Sequence, residues 1–521
     1  MTARSSPILV PPLFRGYGEH AVYGDPQIQE YRGNPLIEAL PPIWSSEEVA
    51  KRLMRYPKYD EAQRTWPSEV RFHLIRNAAN FFEPLPIHLD LEQRVSCMVR
   101  MGYLARNPLE RGFWTAVDEG VRAVGSNAAK PRTGYTRSTA FGFAIIGISG
   151  IGKTTAVEAI LSLYPQVVYH SKYRQKDFSR VQIVWLKLDC PYDGSVKGLC
   201  LNFFQAVDGL LDTQYYLNYT RHGRSTVDEL LPQMARVASI HGLGVLVIDE
   251  LQHLSEAKSG GSSKMLNFFV QLVNTIGMPV VLIGTYKALP LLRGEFRQAR
   301  RNTGQGDLVW DRMTNDRLWR YFIESLWRYQ YVRIPSPLTD KLSEAIYDVT
   351  QGITDFAVKV YILAQIRAIV TGLECVTPAV IRSVAADSLR LATPVLEALK
   401  RRDSLALQTV EDVYLDLDSL ATREIGMCVA EAPATTRATP IISEESPRSL
   451  GDPPVAISQP DAQGVSPGNP PGSKRGSTVS RSGLLEVVAS KMQGKTTFYE
   501  MLRQAGYMRS ANEFLNPKAQ P

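Results

Sequence analysis

Residues 147–155 read Gly-Ile-Ser-Gly-Ile-Gly-Lys-Thr-Thr. Three glycines within six positions lose a large backbone entropy on folding, so so bare a stretch exists to let something approach the main chain closely. The spacing fits G-x-x-x-x-G-K-[ST], a loop whose N–H groups turn inward around phosphate oxygens. Gly147, Ser149, Gly150, Ile151, Gly152, Lys153, Thr154 and Thr155 are therefore the predicted ATP contacts. Lys153 is placed to reach the β- and γ-phosphates, and the Thr154 hydroxyl to ligate Mg2+. The flanks agree with this. Residues 141–146 are a buried apolar run of strand character, and residues 155–161 read as a helix whose N-terminus favours anions.

Further apolar runs, Phe143–Ile146, Val181–Leu188, Gly244–Ile248 and Pro279–Ile283, are separated by helical patterns. That alternation predicts an α/β fold, a parallel sheet with helices on both faces. The run 245–250 ends in Asp249 and Glu250, at the strand edge where open α/β sheets place their ligands. Asp249 is the candidate Mg2+ holder, and Glu250 the residue that orients and activates the attacking water. An Asp-Glu pair also ends strands with no chemistry attached; the loop about a hundred residues upstream favours the catalytic reading. Thr285, after the next strand, either senses the γ-phosphate or caps the following helix. Arg297, Arg300 and Arg301 offer a guanidinium that would complete a neighbouring copy's site, or else form a solvated basic face. His253 is either a proton relay or an ordinary hydrogen-bonded histidine.

The chain of 521 residues divides by pattern into five segments. Residues 1–85 read as a Pro- and aromatic-rich arm, 86–335 as the ATPase core, and 336–430 as a helical lid with further helices. Residues 431–480 hold nine prolines and no Phe, Tyr or Trp, which predicts a disordered linker, and 481–521 regain apolar periodicity as an interaction tail. There are 59 basic and 52 acidic residues, net +7, a mildly basic balance that permits nucleic-acid binding. Five scattered cysteines and seven dispersed histidines predict neither a disulfide framework nor a zinc cluster. Residues 1–14 make a poor signal peptide, and no apolar run is long enough to span a bilayer.

Residues 31–42 (Tyr-Arg-Gly-Asn-Pro-Leu-Ile-Glu-Ala-Leu-Pro-Pro), 102–108 (Gly-Tyr-Leu-Ala-Arg-Asn-Pro), 201–204, 248–254 and 265–269 carry a more specific signal. With the nucleotide motifs, they resemble the longer, TnsC-type members of the TnsC/TniB family of AAA+ ATPases, over about residues 30–400. The resemblance implies an AAA+ core with an α-helical lid, using ATP and Mg2+ in the cytoplasm of a prokaryote and with no membrane association. It implies self-association into a ring or filament on double-stranded DNA, largely without sequence preference. It also implies a link between a target-selecting protein and the transposase, engaged through the C-terminal region. By analogy with ring ATPases, Lys197, Arg221, Arg224, Thr226, Lys258 and Lys264 are the candidate phosphate-backbone contacts. One departure is visible: the lid helix offers only Lys359 where relatives often carry a sensor arginine. Two other classes stay open at this point: another DNA-loading AAA+ ATPase of replication-initiator or helicase-loader type, and a signalling ATPase switch that uses no DNA.

Overall fold

Runs of Val, Ile and Leu that are apolar at every position belong in a sheet buried on both faces, and this is where they lie. The computed structural model describes residues 14–124, 139–220, 225–256, 261–293, 306–403, 406–409 and 415–431. These hold eight strands: β1 (Gly18–His20), β2 (Phe143–Gly147), β3 (Val167–Tyr173), β4 (Lys176–Ile183), β5 (Trp185–Asp189), β6 (Val245–Asp249), β7 (Val280–Gly284) and β8 (Leu308–Trp310). Five of them form one parallel sheet in the order β5-β6-β7-β2-β8. Every residue of β2, β6 and β7 is buried. Helices Lys153–Leu161, Val196–Leu211, Val227–Ile240 and Gly261–Gln271 lie in the connections.

The order carries a functional consequence. The chain leaves β2 for the far edge at β5, returns through β6 and β7, then crosses to β8 on the other side of β2. The loop after β2 therefore opens beside the C-terminal ends of β6 and β7, although their residues lie about a hundred positions away in sequence.

The single strand expected over Val181–Leu188 is in fact two strands in two sheets. β4 ends at Ile183 as half of an antiparallel hairpin with β3, to which β1 adds in parallel. β5 begins at Trp185 in the central sheet. The change of sheet falls at Val184, whose N–H bonds Gln166 O at 2.8 Å, while Gly244 N–H bonds Ile183 O at 2.9 Å. Ile183, Val184 and Trp185 are all buried, so hydrophobicity alone cannot mark the break. The hairpin turn, Arg174-Gln175 with φ of 47° and 66°, uses neither Asn nor Gly and leaves no usual turn signature.

The described part of the N-terminal segment packs along this core. Phe14 stacks on Trp185 with ring centroids 5.4 Å apart. Asn34 Nδ2 donates to Tyr103 O at 2.8 Å, and Asn107 Nδ2 to Gly33 O at 3.1 Å. Helix Ser46–Leu53 starts from a Ser45 cap, as its sequence predicts. On the C-terminal side, Thr339 caps Asp340–Thr350 and Thr377 caps Pro378–Ser388, around the central helix Thr354–Val370.

Arg71, 1% exposed, joins the N-terminal segment to the C-terminal helical region. Its guanidinium donates twice to the Glu374 carboxylate, both at 2.7 Å, and once to Tyr331 O at 3.0 Å. Burial pushes the Glu374 carboxyl up, but the bonds from Arg71 and the Arg333 N–H outweigh it and hold it below its usual value of 4.5. A depressed carboxyl stabilises the fold above its unfolded-state pKa and loses that contribution as pH falls through the folded value. Glu374→Gln is thus expected to lower stability at pH 7 and to flatten the loss of stability between about pH 5 and 3. Glu374→Ala, which strands a buried guanidinium, should cost about 3–5 kcal/mol. Denaturant titrations across pH check both.

Candidate nucleotide site

The phosphate loop sits at the end of β2. Gly150 and Gly152 adopt φ of 77° and 96°, left-handed values that a side chain resists, which is why glycine stands at these two positions. The helix Lys153–Leu161 follows at once, so its first N–H groups face the loop. Lys153 is buried, with Nζ donating to Gly147 O at 3.0 Å and Ile148 O at 2.8 Å. The lid helix abuts the same loop: Asp355 N–H bonds Gly150 O at 3.2 Å, and Thr354 Oγ1 bonds Ile151 O at 3.2 Å.

Asp249, 3% exposed, is where the elements meet. Its Oδ2 accepts the Thr154 hydroxyl at 2.8 Å, and its Oδ1 accepts the Glu250 N–H at 2.8 Å. A hydroxyl and a carboxylate converging at the loop are the hard oxygen donors that suit Mg2+, so the residues present fit that ion. Glu250 has φ of 55°, a left-handed conformation costly for a residue with a Cβ. Strain of this kind persists where surroundings enforce it and gathers at functional sites. The Gln252 side-chain amide donates to the Glu250 carboxylate. Its carbonyl accepts the Thr285 N–H at 3.2 Å, so one side chain ties the end of β6 to the end of β7. The Thr285 hydroxyl is buried with no hydrogen-bond partner among the described residues. An orphaned donor beside this loop fits a phosphate oxygen and the sensor reading. His253 Nδ1 lies 3.1 Å from Cys190 O, the ordinary structural role.

Lys187 on β5 escaped the sequence reading. At 8% exposure its ammonium lies 3.3 Å from Asp249 Oδ2, 3.2 Å from Asp189 Oδ1 and 3.2 Å from Glu158 Oε1. Burial works against its charge, but Asp249, Asp189 and Glu158 overcome it and raise the pKa above 10.5. A lysine inside an apolar strand pattern is the one signal that would have found it. Gln252 left no such signal.

A cavity of about 460 Å3 adjoins the loop, lined by Gly152 and Thr155 on one side and Phe82, His88, Trp310 and Val358 on the other. Burial pushes His88 down to about 4, so its ring is neutral at physiological pH. These side chains come from segments flanking the motifs, and nothing in their spacing announces them.

The remaining predicted residues fare unevenly. Arg221, Arg224, Lys258, Arg297, Arg300 and Arg301 lie outside the described residues. Lys197 is half-buried in the first turn of Val196–Leu211. Thr226 is the N-cap of Val227–Ile240, with its N–H bonded to Glu229 at 2.8 Å. Lys264 lies within helix Gly261–Gln271, not on a loop, and pairs with Asp228 at 2.6 Å. Lys359 pairs with Asp355 at 2.7 Å, so the lid presents an ion pair to the loop. Among the described residues no cluster of His, Cys, Asp and Glu could hold a transition metal, and no helix is long and apolar enough to cross a membrane.

Lys187→Met removes the ammonium from three carboxylates. We expect a loss of about 3 kcal/mol, near the low end for breaking a buried pair because Asp189 is largely exposed. Mg2+ should restore part of it by taking over the countercharge, which denaturation with and without Mg2+ would reveal.

Comparison with known proteins bears on this arrangement. No curated protein matches the chain. Among solved structures, a Walker-type ATPase of Pyrococcus abyssi is 15% identical with a TM-score of 0.32, over 56% of this chain and 74% of that one. The ORC1 protein of Aeropyrum pernix in complex with DNA is 14% identical with a TM-score of 0.33, over 62% and 84%. Drosophila ORC bound to DNA is 12% identical with a TM-score of 0.29, over 66% and 80%. Residues 137–292 match a family model described as an AAA domain. That stretch runs from before β2 to beyond β7 and contains the loop, Asp249, Glu250, Thr285 and four of the five strands of the parallel sheet; over it the chain is similar to AAA domains.

Proposed function

We propose that the chain is a Mg2+-dependent ATPase that, with ATP bound, assembles on double-stranded DNA and regulates DNA transposition by connecting a target-selecting protein to the transposase. The observation that carries the ATPase reading is the contact of Thr154 Oγ1 with Asp249 Oδ2, next to a left-handed Glu250. Support for the transposition reading comes from the two N-terminal motifs behind the resemblance. Residues 31–42 and 102–108 bond to each other through Asn34 and Asn107. Neither bond belongs to the nucleotide chemistry; both fasten the N-terminal segment to the core.

In this reading Lys153 exchanges loop carbonyls for phosphate oxygens, and loop N–H groups take the remaining charge. The cavity beside Gly152 receives the base and ribose. Bound Mg2+ supplies charge neutralisation on the phosphates, held by Thr154 and Asp249. Glu250 holds and polarises the attacking water, and Gln252 fixes the direction of that carboxylate. Thr285 donates to the phosphate that leaves.

Lys153→Ala is expected to abolish ATP binding, whereas Glu250→Gln should keep binding and lower turnover by about a hundredfold or more, since general-base help contributes roughly 10²–10⁴. Equal ATP affinity in the Lys153 variant sinks the assignment. DNA binding should be ATP-dependent, insensitive to sequence and steeply weakened by salt. Deleting residues 473–521 should leave ATPase activity and DNA binding intact while abolishing transposase capture in a pull-down. A truncated chain that still captures transposase but loses DNA affinity makes the tail a DNA-binding module. ATP turnover that DNA does not change would favour a signalling switch.

A further inference from the structure

A second cleft lies at the opposite edge of the sheet, away from the phosphate loop. It has a volume of about 390 Å3 and is bounded by Leu36, Arg106, Phe113, Arg180, Gly242 and Ile276. Gly242 leads into the N-terminal end of β6, whereas the loop follows the C-terminal end of the parallel strand β2.

Two guanidinium groups line this cleft, and among the described residues neither forms an ion pair. Arg106 is 8% exposed; its Nε donates to Gly102 O at 2.7 Å and its Nη1 to Leu243 O at 2.8 Å. Its Nη2 is buried and has no acceptor among the described residues. Arg180 donates Nη2 to Ser239 O at 2.9 Å, and its buried Nε has no acceptor among the described residues either. Every acceptor named here is a neutral carbonyl. Glu110 and Glu119 also line the cleft, yet among the described residues neither forms an ion pair with these arginines. Burial pushes both guanidinium groups down to about 10, and for Arg106 the nearby Arg180 charge adds to the effect.

The surroundings are positive as well. The helix Phe113–Ala123 begins at the cleft after Gly112, so the positive end of an eleven-residue helix adds to the two arginines. The Arg180 guanidinium lies 5.5 Å from the Phe113 ring and 5.7 Å from the Trp114 ring. The Arg106 guanidinium likewise lies 5.1 Å from the Tyr103 ring, so aromatic faces cover both cations. Among the described residues no carboxylate pairs with either; a cation withdrawn from water without a counter-ion favours an anion that comes to it. Paired guanidinium forks match phosphate oxygens in geometry and charge.

We propose that this cleft binds a small phosphorylated ligand, its phosphate held by Arg106, Arg180 and the start of helix Phe113–Ala123. The site is independent of the ATP loop and of the reading given above.

The test uses the full chain and pyrophosphate as the probe. With the ATP loop filled by a non-hydrolysable ATP analogue, calorimetric titration should reveal one further site. Binding should also change the fluorescence of Trp114, which is 53% exposed, and Trp114→Phe should remove that change. Arg180→Gln should weaken pyrophosphate at least tenfold with ATP-analogue affinity unaltered, while Lys153→Ala should retain the site. Acetate at the same concentration should give no signal. Should Arg180→Gln not fold, the Trp114 response of the unaltered chain decides. Absence of a further site, equal affinity in Arg180→Gln, or loss of pyrophosphate binding in Lys153→Ala overturns the proposal.

Discussion

The carboxylate of Asp249 is the point on which the site depends. It is buried at the end of β6 and compensated from three directions: a backbone N–H, the Thr154 hydroxyl and the Lys187 ammonium. A buried anion this close to other carboxylates needs such partners, because desolvation would otherwise outweigh anything it contributes. Each partner comes from a different element: the turn after β6, the helix that follows the phosphate loop, and β5. Satisfying one charge therefore registers β5, β6 and the loop against each other. Mg2+ fits this place because the network is already organised around a cation.

A second layer of coupling runs through Gln252. Its amide holds Glu250 and its carbonyl takes the Thr285 N–H, so one side chain ties Glu250 to the end of β7. The lid joins on the other side of the loop, where Thr354 and Asp355 bond loop backbone atoms. In place of a lone cation, the lid helix brings the Asp355–Lys359 pair toward Gly150. A phosphate group arriving there meets a lysine already engaged by a carboxylate, so any contact from Lys359 requires that pair to open.

Much of the site could be read directly. The loop, Asp249, Glu250 and Thr285 lie where the motif spacing put them, because each motif is a backbone geometry that demands particular residues. Helices beginning at Ser46, Asp340 and Pro378 are capped by Ser45, Thr339 and Thr377, residues whose side chains act within the first turn, so such starts are set locally. What escaped was whatever depended on a distant partner. Val181–Leu188 looked like one strand because burial on both sides of Val184 hides a change of sheet. Lys187 looked like an isolated charge in an apolar run, and became part of the site only when β5 paired with β6 and brought Asp249 within 3.3 Å.

The sequence by itself determined that this chain has a phosphate loop on a strand–loop–helix unit, two carboxylates at the end of a second strand, and parallel α/β architecture. These follow from glycine conformational freedom, period and capping, all properties of short segments. Tertiary structure decided the strand order that sets β6 and β7 beside the loop, the compensation of Asp249 by Lys187, and the latch made by Gln252. It also decided that Arg106 and Arg180, 74 positions apart, share one cleft, where among the described residues neither is paired with a carboxylate. Charge compensation is a property of neighbours in space, and sequence spacing does not encode which neighbours those will be.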